Sequence, residues 1–141
     1  MKPFAFIFPG QGSQSVGMLD AWGDHAVVRQ TLQEASDALG EDLAQLIHEG
    51  PKEALALTTN TQPVMLVAGV AAYRVWMAEV GVAPVAVAGQ SLGEYAALVA
   101  AGSLTLAQAA PRCACAPKQC KTPCPWAWAP WLLFWAWTRC A

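Results

Sequence analysis

Residues 85–102 read VAVAGQSLGEYAALVAAG, and the way this stretch changes character along its length decides the fold. Val85–Ala88 is a short β-branched and alanine run of the kind that forms a buried strand. From Glu94 to Ala101 the chain is alanine-rich and helical in preference. Between them stands Gly89-Gln90-Ser91-Leu92-Gly93, a G-x-S-x-G pattern on a strand-to-helix turn, which is the context of a nucleophile elbow. A serine on such a turn is pushed out at the carboxyl end of a sheet. Glycines two residues to either side let neighbouring backbone approach without a Cβ in the way. The helix start offers free N–H groups and the positive end of its dipole to a developing oxyanion. The same residues also fit a simpler arrangement, Ser91 capping the helix with Glu94 completing an S-x-x-E box; the two roles are compatible.

Upstream, Pro3–Phe8 (PFAFIF) is a second buried-strand run, closed by Pro9-Gly10. Val27, Val28, Leu32, Ala35 and Leu39 recur at helical spacing over His25–Leu39, with Gly40 as the stop. Leu43–Ile47 predicts a short helix, Thr58–Asn60 a polar turn, and Pro63–Val80 a long helix too continuously apolar to be a surface element. Leu104–Ala110 begins another helix. Strand, turn, helices, strand, turn, helix is the order of an α/β protein, a parallel sheet with helical crossovers. Bulk charge adds an exclusion: a net charge of −2 and a pI near 5.5 give no footprint for nucleic acid. The amino-terminal apolar run is too short for a secretory leader, and no stretch reaches the ~20 apolar residues of a membrane span.

The turn after the first strand, Gly10-Gln11-Gly12-Ser13-Gln14, raises the question of a G-x-G-x-x-G dinucleotide fingerprint. Position 15, where its third glycine belongs, is serine, and Pro9 crowds the turn, so a structural turn is the better reading on pattern alone. Taken together, FPGQGSQ, LTTNTQPVML and GQSLGEYAALVAAG, in that order over about residues 3–110, closely resemble the malonyl-CoA:acyl-carrier-protein transacylases and related acyltransferase domains. The resemblance implies an α/β-hydrolase-like core that carries a ferredoxin-like subdomain, the latter missing here. It implies ping-pong transfer of malonyl from coenzyme A to the pantetheine thiol of acyl carrier protein, in fatty acid biosynthesis. These thioesters would be substrates, with no permanently bound cofactor or metal and no membrane or nucleic-acid partner.

Carried over by match, the resemblance makes Ser91 the nucleophile and the backbone N–H groups of Gln11 and Leu92 its oxyanion hole. Gln62, Gly89 and Gly93 take supporting roles. Gln90 departs from the family's usual histidine before the nucleophile. The family's catalytic histidine and carboxylate-gripping arginine have no counterpart. His25 and His48 both precede the elbow, in helices, and read as ordinary surface or helix-end residues.

Composition breaks near residue 111. All five cysteines and five of the seven tryptophans follow it, and no Asp or Glu occurs after Glu94. The expected division is an acyltransferase part at 1–111 and an irregular Cys/Trp/Pro-rich tail at 112–141. As a zinc site, Cys113, Cys115, Cys120 and Cys124 have poor spacing and no histidine after them. As an anchor, Trp126–Trp137 is about half a span. A change of reading frame accounts for more. When codons start at the third base of the written ones, each Trp-Ala junction (TGG, GCN) is forced to glycine, Phe134-Trp135 to leucine and Trp137-Thr138 to aspartate. With ordinary GC-rich codons, residues 112–138 become approximately LRLRAKAMQDAVPVGVGAMAAILGLD, which resembles the family's segment after the elbow helix and carries an arginine. The functional expectation is therefore malonyl transfer through Ser91 in the cytoplasm. An inactive truncated fragment is the alternative, and a general serine esterase a weaker one.

Overall fold

Two strands set the frame. The structure, a computed structural model, describes residues 2–119; in it strand β1 is Ala5–Phe8 and strand β2 is Ala86–Gly89. They pair in parallel with Ala5 opposite Ala86 and Phe8 opposite Gly89, and Val85 N–H donates to Phe4 O at 3.0 Å to extend the pairing. Parallel neighbours need a long crossover. Here it contains a 3-10 turn (Asp20–Trp22) and four helices, α1 (Ala26–Leu39), α2 (Leu43–Glu49), α3 (Lys52–Ala56) and α4 (Thr58–Glu79). After β2 come α5 (Leu92–Ala100) and α6 (Leu106–Gln119). The α/β reading with a parallel sheet and helical crossovers holds, and among the described residues the sheet has two strands.

Local chemistry explains most boundaries. The His25 side chain accepts from Val27 N–H at the start of α1, and Gly40, at φ 69°, closes that helix in the left-handed conformation. Asp42 caps α2 by accepting from Gln45 N–H at 2.9 Å. The polar turn expected at Thr58–Asn60 is instead the first turn of α4. Thr61 lies fully buried and its hydroxyl donates to the carbonyls of Leu55 and Leu57, at 2.5 and 3.0 Å, so the polar residues tie α3 to α4 rather than break the chain. Pro63, the sixth residue of α4, lacks the N–H that would bond the Thr59 carbonyl, so the helix runs on with one bond fewer.

Apolar on all sides, α4 packs against α1, α5 and α6 and forms the middle of the core, with Val64, Leu66, Val67, Val70 and Ala71 essentially inaccessible. It approaches the sheet most closely at Gly69, where a Cβ would lie 3.2 Å from the Phe8 ring and 3.6 Å from Ala96 Cβ. Phe4, Phe6 and Phe8 on one face of β1 meet Tyr73 and Trp76 of α4 through edge-on ring contacts 5.4 to 6.3 Å apart. Arg74 reaches from α4 to Glu34 (2.7 Å) and Thr31 (3.2 Å) on α1.

One expectation needs correction. Residues 112–119 are not irregular: α6 runs through the compositional break at residue 111 to Gln119. Ala109, Ala110 and Cys113, at helical spacing, are buried in the core cluster, and that buried stripe carries the helix across. The readings placed on residues 120–141, including Cys120, Cys124 and the Trp126–Trp137 run, lie outside the described residues. No helix among the described residues is long and apolar enough to cross a membrane.

Candidate active site

The end of β2 turns into α5 through Gln90 and Ser91. Gly93 N–H donates to Gln90 O at 2.9 Å and Glu94 N–H to Ser91 O at 3.0 Å, which winds the first turn of the helix directly onto the strand. To connect the two without a loop, Ser91 takes φ 56° and ψ −121°. Among the described residues it is the one non-glycine residue at positive φ, a conformation that costs a side chain about 1–3 kcal/mol and persists only where its surroundings impose it.

The surroundings are backbone. A Cβ on Gly89 would overlap the Gly93 carbonyl and lie 2.6 Å from Glu94 N; a Cβ on Gly93 would overlap the Phe8 carbonyl oxygen and lie 2.9 Å from that of Pro9. Gly10 packs on the same turn, its Cβ position 3.3 Å from Gln90 O and 3.9 Å from Ser91 Cβ. The two turns thus meet, with Gly10 laid against Gln90 and Ser91. The capping box does not form: Ser91 makes no side-chain bond to the helix start. A capping residue needs β-region backbone, and positive φ turns the Ser91 Cβ away from the N–H groups it would have capped. Its side chain is exposed, and Leu92 N–H, first in α5, has no intrahelical partner.

Gln11 is exposed on the first turn, beside Gly12 at φ 123°, whose N–H donates to the Gln14 side chain at 2.8 Å. Ser13 Oγ contacts Met65 Sδ at 3.9 Å, so this loop rests on the first part of α4. Gln62 lies one helical turn before Met65, half-buried. Glu94, in the first turn of α5, is held above the ordinary carboxylate range by burial.

The histidines are occupied elsewhere. His25 Nδ1 accepts from Val27 N–H, which puts the proton of the neutral ring on Nε2, 3.1 Å from Glu79. His48 Nδ1 is paired with Asp20. Arg74 is committed to Glu34. Cys113 is a core residue whose thiol burial pushes up to about 12, the opposite of a metal-ligating thiolate. A broad surface cleft of about 1120 Å³, with Leu19, Val28, Leu32, Asp20, Asp37 and Glu41 in its walls, shares no residue with the elbow. Its size does not make it the site: its serine, Ser36, accepts from Leu43 N–H at 3.2 Å, and no non-glycine residue in its walls has positive φ. Sequence reasoning missed the contribution of Gly10 and of the Phe8 and Pro9 carbonyls; the signal available was the Pro-Gly directly after the first strand.

Comparison with known proteins gives a consistent result. A family model described as "Acyl transferase domain" matches residues 5–126. The malonyl CoA-acyl carrier protein transacylase of Escherichia coli K12 is 54% identical over 110 residues, covering 77% of this chain and 36% of that protein. Of solved structures, the acyl-carrier-protein S-malonyltransferase of Burkholderia pseudomallei 1710b superposes with a TM-score of 0.83 at 57% identity, covering 88% of this chain and 40% of that one. A malonyl-transacylase solved with a type II polyketide acyl-carrier protein (PlMCAT:AntF) superposes with a TM-score of 0.80 at 48% identity over the same shares. The chain thus spans a little over a third of the length of the curated relatives it matches.

Proposed function

The chain belongs to the acyl transferase domain family, and from that premise we propose that Ser91 is the residue acylated in transfer of malonyl from malonyl-CoA to the pantetheine thiol of acyl carrier protein. The Ser91 hydroxyl oxygen attacks the thioester carbonyl, and the oxyanion formed accepts from the N–H groups of Gln11 and Leu92. Collapse expels the coenzyme A thiolate, which is protonated by the proton Ser91 gives up, and leaves a serine ester; attack by the carrier thiol, whose proton returns to the serine oxygen, then regenerates Ser91. Gly89 and Gly93 make room for the turn, and Gln62 supports it from α4. Coenzyme A thioester and carrier protein are substrates, in a cytoplasmic setting that suits the absence of cysteine before Cys113. The observation that carries this reading is the strained φ of Ser91 beside Gly10.

A serine hydroxyl needs a proton acceptor, and His25 and His48 are engaged at other places. The described residues alone therefore turn over negligibly. Incubation of the purified chain with radiolabelled malonyl-CoA, with peptide mapping, tests both points. Slow labelling at Ser91, abolished by Ser91→Ala, is expected. Label on another residue would overturn the assignment, and acylation as fast as in a full-length relative would overturn the need for an outside base.

The forced codons behind residues 112–138 favour a second reading, in which this chain is an acyltransferase part at 1–111 followed by a frame-shifted, truncating tail. Sequencing the DNA over codons 107–114 from an independent isolate tests it. A second frame with no arginine codon after the elbow helix would refute it.

A further inference from the structure

Gln11 stands between two glycines that are each held in place. On one side Gly10 packs on the elbow, where a Cβ would lie 3.3 Å from Gln90 O and 3.9 Å from Ser91 Cβ. On the other, Gly12 N–H donates to the Gln14 side-chain oxygen at 2.8 Å. Gly12 has φ 123°, and a Cβ there would meet nothing within 4 Å, so glycine is needed for its backbone and not for room. Gln14 is half-buried while Ser13 and Ser15 beside it are exposed, and Ser13 Oγ lies 3.9 Å from Met65 Sδ, which seats the loop on α4. Peptide units are rigid planes that rotate only about the Cα between them. Holding the plane after Gln11 through Gly12 N–H, and the plane before it through Gly10, sets both rotations of Gln11 and with them the direction of its N–H.

We propose that Gln14 is a positioning residue for acyl transfer: its side-chain oxygen takes up the Gly12 N–H and so holds the Gln11 N–H toward the oxyanion formed at Ser91. An oxyanion donor is effective because it is already oriented when the charge develops. A Gln11 free to rotate would have to give up that freedom in the transition state. The proposal rests on the reading of Gln11 N–H as an oxyanion donor; the clamp on Gln11 rests on the loop alone.

Nitrogen-15 relaxation on the full chain measures the order of each backbone amide, and radiolabelled malonyl-CoA measures the labelling of Ser91 in the same variants. In the parent, the Gln11 and Gly12 amides are expected to be as rigid as those of α1, with order parameters of about 0.85. Gln14→Ala lowers these two below about 0.6 and leaves α1 unchanged. Gln14→Glu, whose carboxylate accepts at the same reach, restores them; its charge would oppose an oxyanion, so it tests order alone. Gln14→Ala also slows the labelling of Ser91 at least about tenfold, part of the roughly 10²–10³-fold that loss of a whole oxyanion donor costs. A Gln11 amide that stays rigid in Gln14→Ala, loosening that spreads to α1, or failure of Gln14→Glu to restore order overturns the clamp. An amide that loosens while labelling keeps its rate overturns the positioning role. A parent chain that never labels at Ser91 overturns the acyltransferase reading and with it the purpose of the clamp, whose existence the order parameters test separately.

Discussion

Replacing Ser91 by glycine separates strain from function. At φ 56° and ψ −121° the side chain costs about 1–3 kcal/mol, and glycine removes that cost. Glycine also frees the unfolded chain, which offsets about 0.5–1 kcal/mol. The net expectation is a gain of about 1 kcal/mol, or a rise of roughly 3–6 °C in the unfolding midpoint for a domain of this size. Ser91→Ala is the control. It keeps the Cβ and hence the strain, and the hydroxyl it deletes makes no bond to the helix start, so its stability stays within about 0.5 kcal/mol of the parent. Both variants lose acylation. The assay is urea unfolding followed by circular dichroism, comparing glycine with alanine at the same position so that loss of the hydroxyl cancels. If Ser91→Gly is no more stable than Ser91→Ala, the turn is not strained, and the argument that function holds this serine in place fails with it.

Glycine removal from the same turn has the opposite sign. Gly93→Ala drives a Cβ into the Phe8 and Pro9 carbonyls, backbone that cannot swing aside, and should cost about 3 kcal/mol or more in urea unfolding. Arg74→Ala removes a partly buried ion pair to Glu34 and a bond to Thr31, with an expected loss of about 1–2 kcal/mol in the same assay and no effect on the labelling of Ser91. Cys113, its thiol raised from 9.0 to about 12, holds its proton in the folded state after the unfolded state has lost it. Stability it contributes is intact below pH 9 and falls between pH 9 and 12, by at most about 1.4 kcal/mol per pH unit. Cys113→Ala should flatten that slope in alkaline urea titrations.

Continuous apolar runs made PFAFIF, VAVA and the long α4 legible, because they hold no polar residue to confuse the pattern; the structure nevertheless leaves Ile7 and Val85 exposed. The chain's irregular parts were less so. Thr58–Asn60 looks like a turn until the Asn60 side chain donates to Ala54 O and the next residue, Thr61, to Leu55 and Leu57 O, which depends on how α3 meets α4. Ser91 and Glu94 look like a capping box until φ at Ser91 is known. The compositional break at residue 111 looks like the end of a domain, yet helical spacing of Ala109, Ala110 and Cys113 carries the core beyond it. In each case the local pattern was overridden by the way neighbouring elements meet.

The two glycine motifs show why a pair of motifs carried more than either one. FPG ends β1 and GQSLG ends β2, and parallel pairing puts Phe8 opposite Gly89. That register leaves the Phe8 and Pro9 carbonyls where a side chain at position 93 would stand, and Gly10 where it meets Gln90 and Ser91. Gly93 and Gly10 find their reason in the other motif, and Gly89 in the Gly93 carbonyl of its own. An elbow of this kind can be complete in the first part of a fold because all its contacts come from two adjacent strand ends. A proton acceptor cannot be built the same way here: it must stand beyond the exposed side of Ser91, and the histidines within reach of the sequence are held by Glu79 and Asp20. On the proposed reading, Ser91 and the Gln11 and Leu92 N–H groups belong to the described residues and the base lies outside them.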